Sequence, residues 1–234
     1  MLTFSEFLLE KYTKIPNTQM GSNDGGIHTD DDDGNKTYLK YYNNGDQAKS
    51  EVLTSKIYNM MGIKTLSPKY ENIDGRHAVI TKFDDNLSGM KKHDFERLTE
   101  PQAHDMMKMY HGATLTKNWD IVGLVHDNVM RGANNSLVSV DQGGTFNFRA
   151  QGGHKDYGGD VAEHQSLLNP DNPSGHVFLS VKSRFPEAEK DAIESVRNLD
   201  MNKVKDEFEK SGISNWQDLH SAFVSRRDAL LKKY

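Results

Sequence analysis

The sequence contains no cysteine, which excludes disulfide bridges, thiolate zinc sites and a cysteine nucleophile. No apolar run approaches the roughly 18 residues of a membrane span. The opening stretch from Met1 to Tyr12 is amphipathic but carries Glu6 and Glu10, and secretory and transit peptides avoid acidic residues. Charge of one sign is scarce too: Lys+Arg 29 against Asp+Glu 34 leaves a net charge of -5 over 234 residues. That argues against general binding to duplex nucleic acid by charge neutralisation and leaves room for a local basic patch. Hydrophobic residues make up only 35% and mean hydropathy is -0.76, yet aromatics at 9% are spread along the chain, which argues against disorder. These absences point to a soluble cytoplasmic protein with neither a membrane nor a duplex partner. The length suits one large domain or two small lobes sharing a cleft.

What is present divides the chain in two. Leu2, Phe4, Phe7, Leu8 and Leu9 predict a short amphipathic helix. The glycine-rich run Gly21-Ser22-Asn23-Asp24-Gly25-Gly26 predicts a turn between strands, and Asp30–Asp33 a hairpin tip with a returning strand over 37–42. Residues 46–61 predict a helix with Leu53, Ile57, Met60 and Met61 on one face and Gly62 just beyond its end. A second hairpin turns at Asp74-Gly75. The first 83 residues thus read as a sheet of about five strands with one inserted helix. After a polar connector, residues 92–118 predict one helix, short strands follow around Val129 and over 137–140, and residues 142–175 predict a long irregular loop. The remainder is helical by spacing, as in Trp216/Leu219/Phe223/Leu230. The expected fold class is α+β and bilobal: a β-rich N-lobe with one key helix over 1–86, and an α-rich C-lobe with the functional loops over 87–234.

Four features carry chemistry, each with an ordinary structural reading beside it. Backbone N–H groups of the 21–26 turn can face phosphate oxygens, although glycine turns commonly just join strands. Lys40 ends a strand and Glu51 follows eleven residues later in the helix; a cleft lysine that pairs with nucleotide phosphates needs such a carboxylate, while the ordinary alternative is two solvated charges. Asn118-Trp119-Asp120 and His126-Asp127-Asn128 lie after a helix and before a strand, where an Asp can accept a hydroxyl proton and Asn and Asp oxygens can hold Mg²⁺. Asp141 closes an apolar strand ahead of Gln142-Gly143-Gly144, a placement that delivers a carboxylate to a cleft.

In this order the parts are those of a kinase-like phosphotransferase. The chain resembles the atypical kinase-like proteins, the HipA-type and phosphoinositide-kinase-like group. Asn118-Trp119-Asp120 with Asp127-Asn128, and Val140-Asp141-Gln142-Gly143-Gly144 with Phe148-Arg149-Ala150-Gln151-Gly152, are similar to kinase-like domains of phages and bacteria. The resemblance covers about residues 20–152. It implies ATP and Mg²⁺ as cofactors and a protein Ser/Thr or small-molecule hydroxyl as acceptor, in a host's cytoplasm if the chain is phage-encoded. It implies that Gly21, Ser22, Asn23, Gly25 and Gly26 with Lys40 bind the nucleotide. Glu51 would position Lys40, Asp120 would be the catalytic carboxylate, and Asn128 and Asp141 the metal ligands.

The chain departs from the ordinary kinase pattern in three ways. It lacks an H-R-D triplet, and Asn128 follows Asp120 by eight residues where ordinary kinases use about five. Either the loop carries an insertion or Asp127 shares the role given to Asp120. Gln142 replaces the Phe of D-F-G. A pseudokinase that docks a partner, or AMP transfer by the same fold, are the alternatives. In the 143–159 stretch, Phe146 and Phe148 would lie on one side if extended. Arg149 would then face the cleft as a substrate contact, or pair with Asp160 or Glu163. His-Asp pairs at 93–94, 104–105 and 126–127 suit a phosphohydrolase only on an all-helical scaffold, which the N-terminal half contradicts. Lys155, Arg226 and other C-terminal cations read as solubilising charge.

Overall fold

The computed structural model describes residues 12–20, 23–30 and 34–234. The predicted N-terminal helix, Gly21, Ser22 and the tip at 31–33 lie outside them. Five strands form an antiparallel sheet in the order β1-β2-β3-β6-β5: β1 (Tyr12–Lys14), β2 (Gly25–Asp30), β3 (Lys36–Tyr42), β5 (Lys69–Ile73) and β6 (Arg76–Lys82). The β5–β6 hairpin turns on Asp74 and Gly75, both at positive φ, the two-residue turn whose twist matches paired strands. Alternation along β3 sets the two faces. Leu39 packs with Ile73 and Ala78 on one face, while Tyr42 packs with Ala48 and Val79 on the other. Lys40 shares the face of Tyr42.

That face is covered by α1 (Gly45–Met60). The Asn44 side chain caps it by accepting from the Asp46 and Gln47 amides, and Gly62 at φ 72 ends it. The expected apolar stripe is buried apart from the half-buried Met60, and so is a second, polar stripe of Gln47, Glu51, Thr54 and Tyr58. These four recur at helical spacing, one above the other.

A smaller sheet has the order β4-β9-β8-β7: β4 (Lys64–Thr65), β9 (Leu137–Ser139), β8 (Val129–Arg131) and β7 (Ser88–Gly89). Its β8–β9 hairpin places Val129 opposite Ser139, so the residues just outside, Asn128 and Val140, meet through a Val140 N–H to Asn128 O bond of 2.9 Å.

The predicted single helix over 92–118 is two helices, α2 (Lys92–Phe95) and α3 (Glu100–Thr116). The break follows from Thr99-Glu100-Pro101-Gln102: proline is favoured in a first turn, and the Gln102 side chain accepts from the Thr99 amide at 3.0 Å. Helix α3 is buried along most of its length. The rest of the chain adds α4 (Glu163–Ser166), α5 (Pro173–Arg184), α6 (Pro186–Arg197), α7 (Met201–Lys210) and α8 (Trp216–Leu231). One continuous apolar core runs from Leu53 and Ile57 of α1 through Met106, Met107 and Tyr110 of α3 to Phe208, Phe223 and Leu230. Among the described residues, no helix is long and apolar enough to cross a membrane.

Candidate active site

The strand lysine, the helix glutamate and the post-strand aspartate meet. Lys40 Nζ lies 2.5 Å from Asp141 Oδ1 and 3.5 Å from Glu51 Oε2, and the Tyr42 hydroxyl donates to the same Glu51 oxygen. Burial works against the charge of Lys40, but Glu51 and Asp141 outweigh it and hold its pKa above the ordinary value. Burial pushes Glu51 upward against the pull of Lys40, and burial followed by the field of Glu51 raises Tyr42 well above a free phenol. Tyr42 escaped the sequence reading. Its signal was its position two residues after Lys40, which in a strand is the same face.

Asp141 sits in the left-handed region at φ 58, a conformation Asp tolerates better than most residues. It turns the chain away from β9, leaving its side chain 43% exposed. The Gly143 amide donates back to Asp141 Oδ1 at 3.3 Å. A Cβ on Gly143 would run into the Tyr42 hydroxyl, so the glycine after Asp141-Gln142 is required by close approach to β3. Gln142, where ordinary kinases carry Phe, is buried and donates to Ser139 Oγ at 3.1 Å.

The polar stripe of α1 fastens this loop. Gln47 Nε2 donates to the Gly143 and Arg149 carbonyls at 3.1 and 3.2 Å, Thr54 donates to Thr145 Oγ1 at 2.8 Å, and the Tyr58 and Thr116 hydroxyls meet at 3.1 Å. Glu51 is thus one member of a buried polar seam, which is why it lies away from the apolar stripe.

Asp120 follows the Asn118 turn, whose Oδ1 accepts the Asp120 amide at 3.0 Å. Asn128 Nδ2 donates to the Asp120 carbonyl at 2.6 Å. The intervening residues make an excursion: Gly123 at φ 81 closes against the Asp127 side chain, Ile121 and Val122 point inward, and Leu124 and Val125 are 80% and 73% exposed. The eight-residue spacing is therefore an inserted turn, with Asn128 returned to Asp120. Burial, then the charges of Asp141 and Asp127, push Asp120 up to about 6. Asp127 is exposed on that turn.

The glycine-rich segment is placed differently from its expectation. Asn23 lies in a bend, but Gly25 and Gly26 are strand residues of β2, paired with Lys40 and Leu39. A Cβ on Gly25 would strike the Leu39 carbonyl, so this glycine serves the approach of two strands. Phe146 and Phe148 are buried, not by an extended run but by turns, with Phe146 at φ 51 against Tyr157 and Phe208. Arg149 is exposed and lies over the ring of Trp119, Cζ 5.4 Å from its centroid. It pairs with neither Asp160 nor Glu163, because Glu163 is taken by Arg226, by Lys117 at 3.7 Å and by Trp119 Nε1 at 3.1 Å. Two cations read as solubilising are not. Arg226 is 0% exposed and donates to the Thr114, Leu115 and Gly158 carbonyls as well as to Glu163. Lys155 is buried, its Nζ donating to the Lys117 and Gly144 carbonyls at 2.5 and 2.8 Å.

Cavities of about 570 and 380 Å³, one beside residues 82–86 and one between α1, β5 and α7, are not lined by the site residues named above. Among the described residues no three His, Asp or Glu side chains are grouped as a self-sufficient metal cage. Asp141 and Asn128 carry oxygen donors of the kind that hold Mg²⁺ together with phosphates and water, and both act on Asp120, one by its charge and one by a hydrogen bond. The pKa of Asp120 is raised by burial first and then by the charges of Asp141 and Asp127, and that group of carboxylates fits a cation there.

No protein family matches the sequence, and no curated protein does. The fold is similar to the crystal structure of a Helicobacter pylori proinflammatory kinase, CtkA, with 13% identity, 95% of each chain covered and a TM-score of 0.60. At that identity the likeness speaks for the fold alone, and it does not reach the HipA-type subgroup. The fold is kinase-like: α+β and bilobal, a sheet with helix α1 beside a helical lobe.

Proposed function

We propose that this protein is an ATP- and Mg²⁺-dependent phosphotransferase acting on a hydroxyl, with a protein Ser/Thr residue preferred over a small molecule. The lobes divide near residue 86. The observation that carries this reading is the double ion pair of Lys40 with Glu51 and Asp141, which brings the turn after β9, 101 positions away, to the β3–α1 pair around one cation. Lys40, oriented by Glu51 and Tyr42, binds phosphate oxygens of ATP. Asp141 and Asn128 hold the metal, which when bound neutralises charge on the transferring phosphate. Asp120 orients the acceptor hydroxyl and takes its proton, a role suited to a carboxylate whose proton affinity is raised. The acceptor oxygen bonds to the γ-phosphorus, the bond from that phosphorus to the bridging oxygen breaks, and ADP leaves with the electron pair. ATP places the activity in a cytoplasm.

The test is incubation with ATP labelled separately at the α and γ positions, with and without Mg²⁺. Metal-dependent retention of γ label alone is expected. Retention of α label would mean AMP transfer, and retention of neither would mean a docking protein.

A further inference from the structure

Trp119 immediately precedes Asp120, and its side chain is 44% exposed. Three cations surround its ring: Lys155 Nζ at 4.8 Å, Arg149 Cζ at 5.4 Å and Lys117 Nζ at 5.8 Å from the centroid. The carboxylate of this group among the described residues is Glu163, which pairs with Arg226 and, at 3.7 Å, with Lys117. Four cations thus meet one carboxylate, which leaves a net positive excess. Lys155 is held by two carbonyls, which carry no net charge. Arg149 stands on the surface, and among the described residues no carboxylate is paired with it. A cationic ledge therefore surrounds Trp119, the residue before Asp120, and Gln47 ties the Arg149 backbone to the Gly143 turn that follows Asp141.

We propose that this ledge selects the acceptor: a polypeptide with an acidic side chain close to its target hydroxyl, gripped by Arg149 with the fields of Lys117 and Lys155 behind it. The word acceptor rests on the phosphotransferase reading; the binding does not. An anion on Arg149 sets the neighbouring hydroxyl toward Asp120, and the planar guanidinium, its one face against the indole, presents its N–H fork to a carboxylate. The openness of the same loop favours a polypeptide over a small molecule. Leu124 and Val125 project from the turn that follows Asp120, giving apolar contact on a surface, whereas small ligands are bound in enclosed clefts. Burial brings Lys155 down to about 7, with Lys117, Arg226 and Arg149 adding to it against the pull of Glu163. Such a group is relieved by an arriving anion.

The test uses the full chain and two fluorescein-labelled peptides that share a central serine and differ only in flanking Glu or Lys residues. Binding is followed by anisotropy at low ionic strength without ATP. The Glu peptide is expected to bind about tenfold tighter than the Lys peptide, and Arg149→Glu to abolish the preference at unchanged melting temperature. Arg149→Gln, which removes only the charge, gives the same readout should Arg149→Glu fail to fold, and Arg149→Lys should keep most of the preference. Equal binding of both peptides, binding of neither, or a preference untouched by Arg149→Glu or Arg149→Gln overturns the proposal. So does a loss confined to ATP affinity in a separate nucleotide titration of the same variants, which would assign Arg149 to a nucleotide phosphate. Because the peptides are titrated without nucleotide, a negative result leaves the phosphotransferase reading standing. Absence of γ-label transfer, conversely, leaves the ledge as a peptide-docking surface.

Discussion

Arg226 and Lys40 are both buried cations held by carboxylates, yet their surroundings differ. Around Arg226 the donors and acceptors close on themselves: three backbone carbonyls and Glu163 take the guanidinium, and neither partner reaches solvent. Around Lys40 there are two carboxylates for one cation, and the second, Asp141, is part-exposed, with Asp120 close enough for its pKa to be raised by the charge. A closed group holds elements together; here it ties α3, α4, α8 and the Gly158 turn. An unbalanced, half-open group is costly to fold around and has capacity left for a ligand. The ratio of carboxylates to cations and the exposure of one oxygen separate the two roles better than burial does.

The comparison breaks most visibly at Arg226. Arg226→Met leaves Glu163 buried with only Lys117 and Trp119, and removing one partner of a buried pair costs about 3–5 kcal/mol. That is a large part of the roughly 5–15 kcal/mol that stabilises a domain. The expected result is a large fall in denaturant midpoint, partly restored in the double variant Arg226→Met/Glu163→Leu, which removes the stranded charge. A midpoint within error of wild type would mean that the closed group does not carry the helical lobe.

At the other group the effect should fall on activity. Asp141→Asn keeps the side-chain shape and removes the anionic oxygen, so metal-dependent transfer should drop by at least about 10³-fold. Melting temperature should hold or rise, since repulsion with Asp120 and Glu51 is relieved. Transfer measured across a Mg²⁺ titration, beside a thermal melt, separates the outcomes. Lost stability with retained activity per folded molecule would make Asp141 a structural residue like Arg226.

Much of this was legible in the sequence, and the failures have common causes. The strands and the α1 helix followed from alternation and capping residues, while the grouping of Lys40, Glu51, Asp141, Asp120 and Asn128 was what the resemblance to kinase-like proteins implied; the structure brings Lys40, Glu51 and Asp141 into contact and bonds Asn128 to Asp120. The polar seam Gln47, Glu51, Thr54 and Tyr58 was not read as a face, because a helix buried on two sides has little amphipathic contrast. Arg226 and Lys155 were misread because nothing in composition distinguishes a snorkelling cation from one whose hydrogen bonds go to carbonyls more than 100 and about 40 positions away in sequence. Gly25 and Gly26 read as a loop because strand glycines are rare; the close approach of Leu39 that explains Gly25 is a tertiary fact. The break at Thr99 was the opposite case, since its capping box and proline were in plain view.

Asp120 and Asp127 give a narrower comparison. Asp120 is half-buried and bonded through its backbone to Asn128, while Asp127 is exposed on the inserted turn. Asp120→Asn should lower kcat by about 10²-fold with little change in the KM for ATP. Asp127→Asn should cost only a few-fold. The reverse order would move the proton-accepting role onto the insertion.

The smallest expected effect concerns Lys155, and it distinguishes a charged ledge from a merely basic surface. Exposed lysines keep their charge well past neutrality. Lys155 does not: burial first, then the positive field of Lys117, Arg226 and Arg149 against the single carboxylate Glu163, leaves its pKa at about 7. Below that value the ammonium adds to the field felt by an acidic peptide, and above it the field is weaker. Affinity for the Glu-flanked peptide should therefore fall as pH rises from 6 to 8, by about threefold for one charge acting through part-screened surroundings. The Lys-flanked peptide should show no such fall. Binding an anion favours protonated Lys155, so proton uptake should accompany association near neutral pH and appear as a buffer-dependent heat in calorimetry. Lys155→Met should flatten the pH dependence and leave the weaker, high-pH affinity across the range. An equally steep pH dependence in Lys155→Met would assign the titration to another group and reduce the ledge to Arg149 and Lys117.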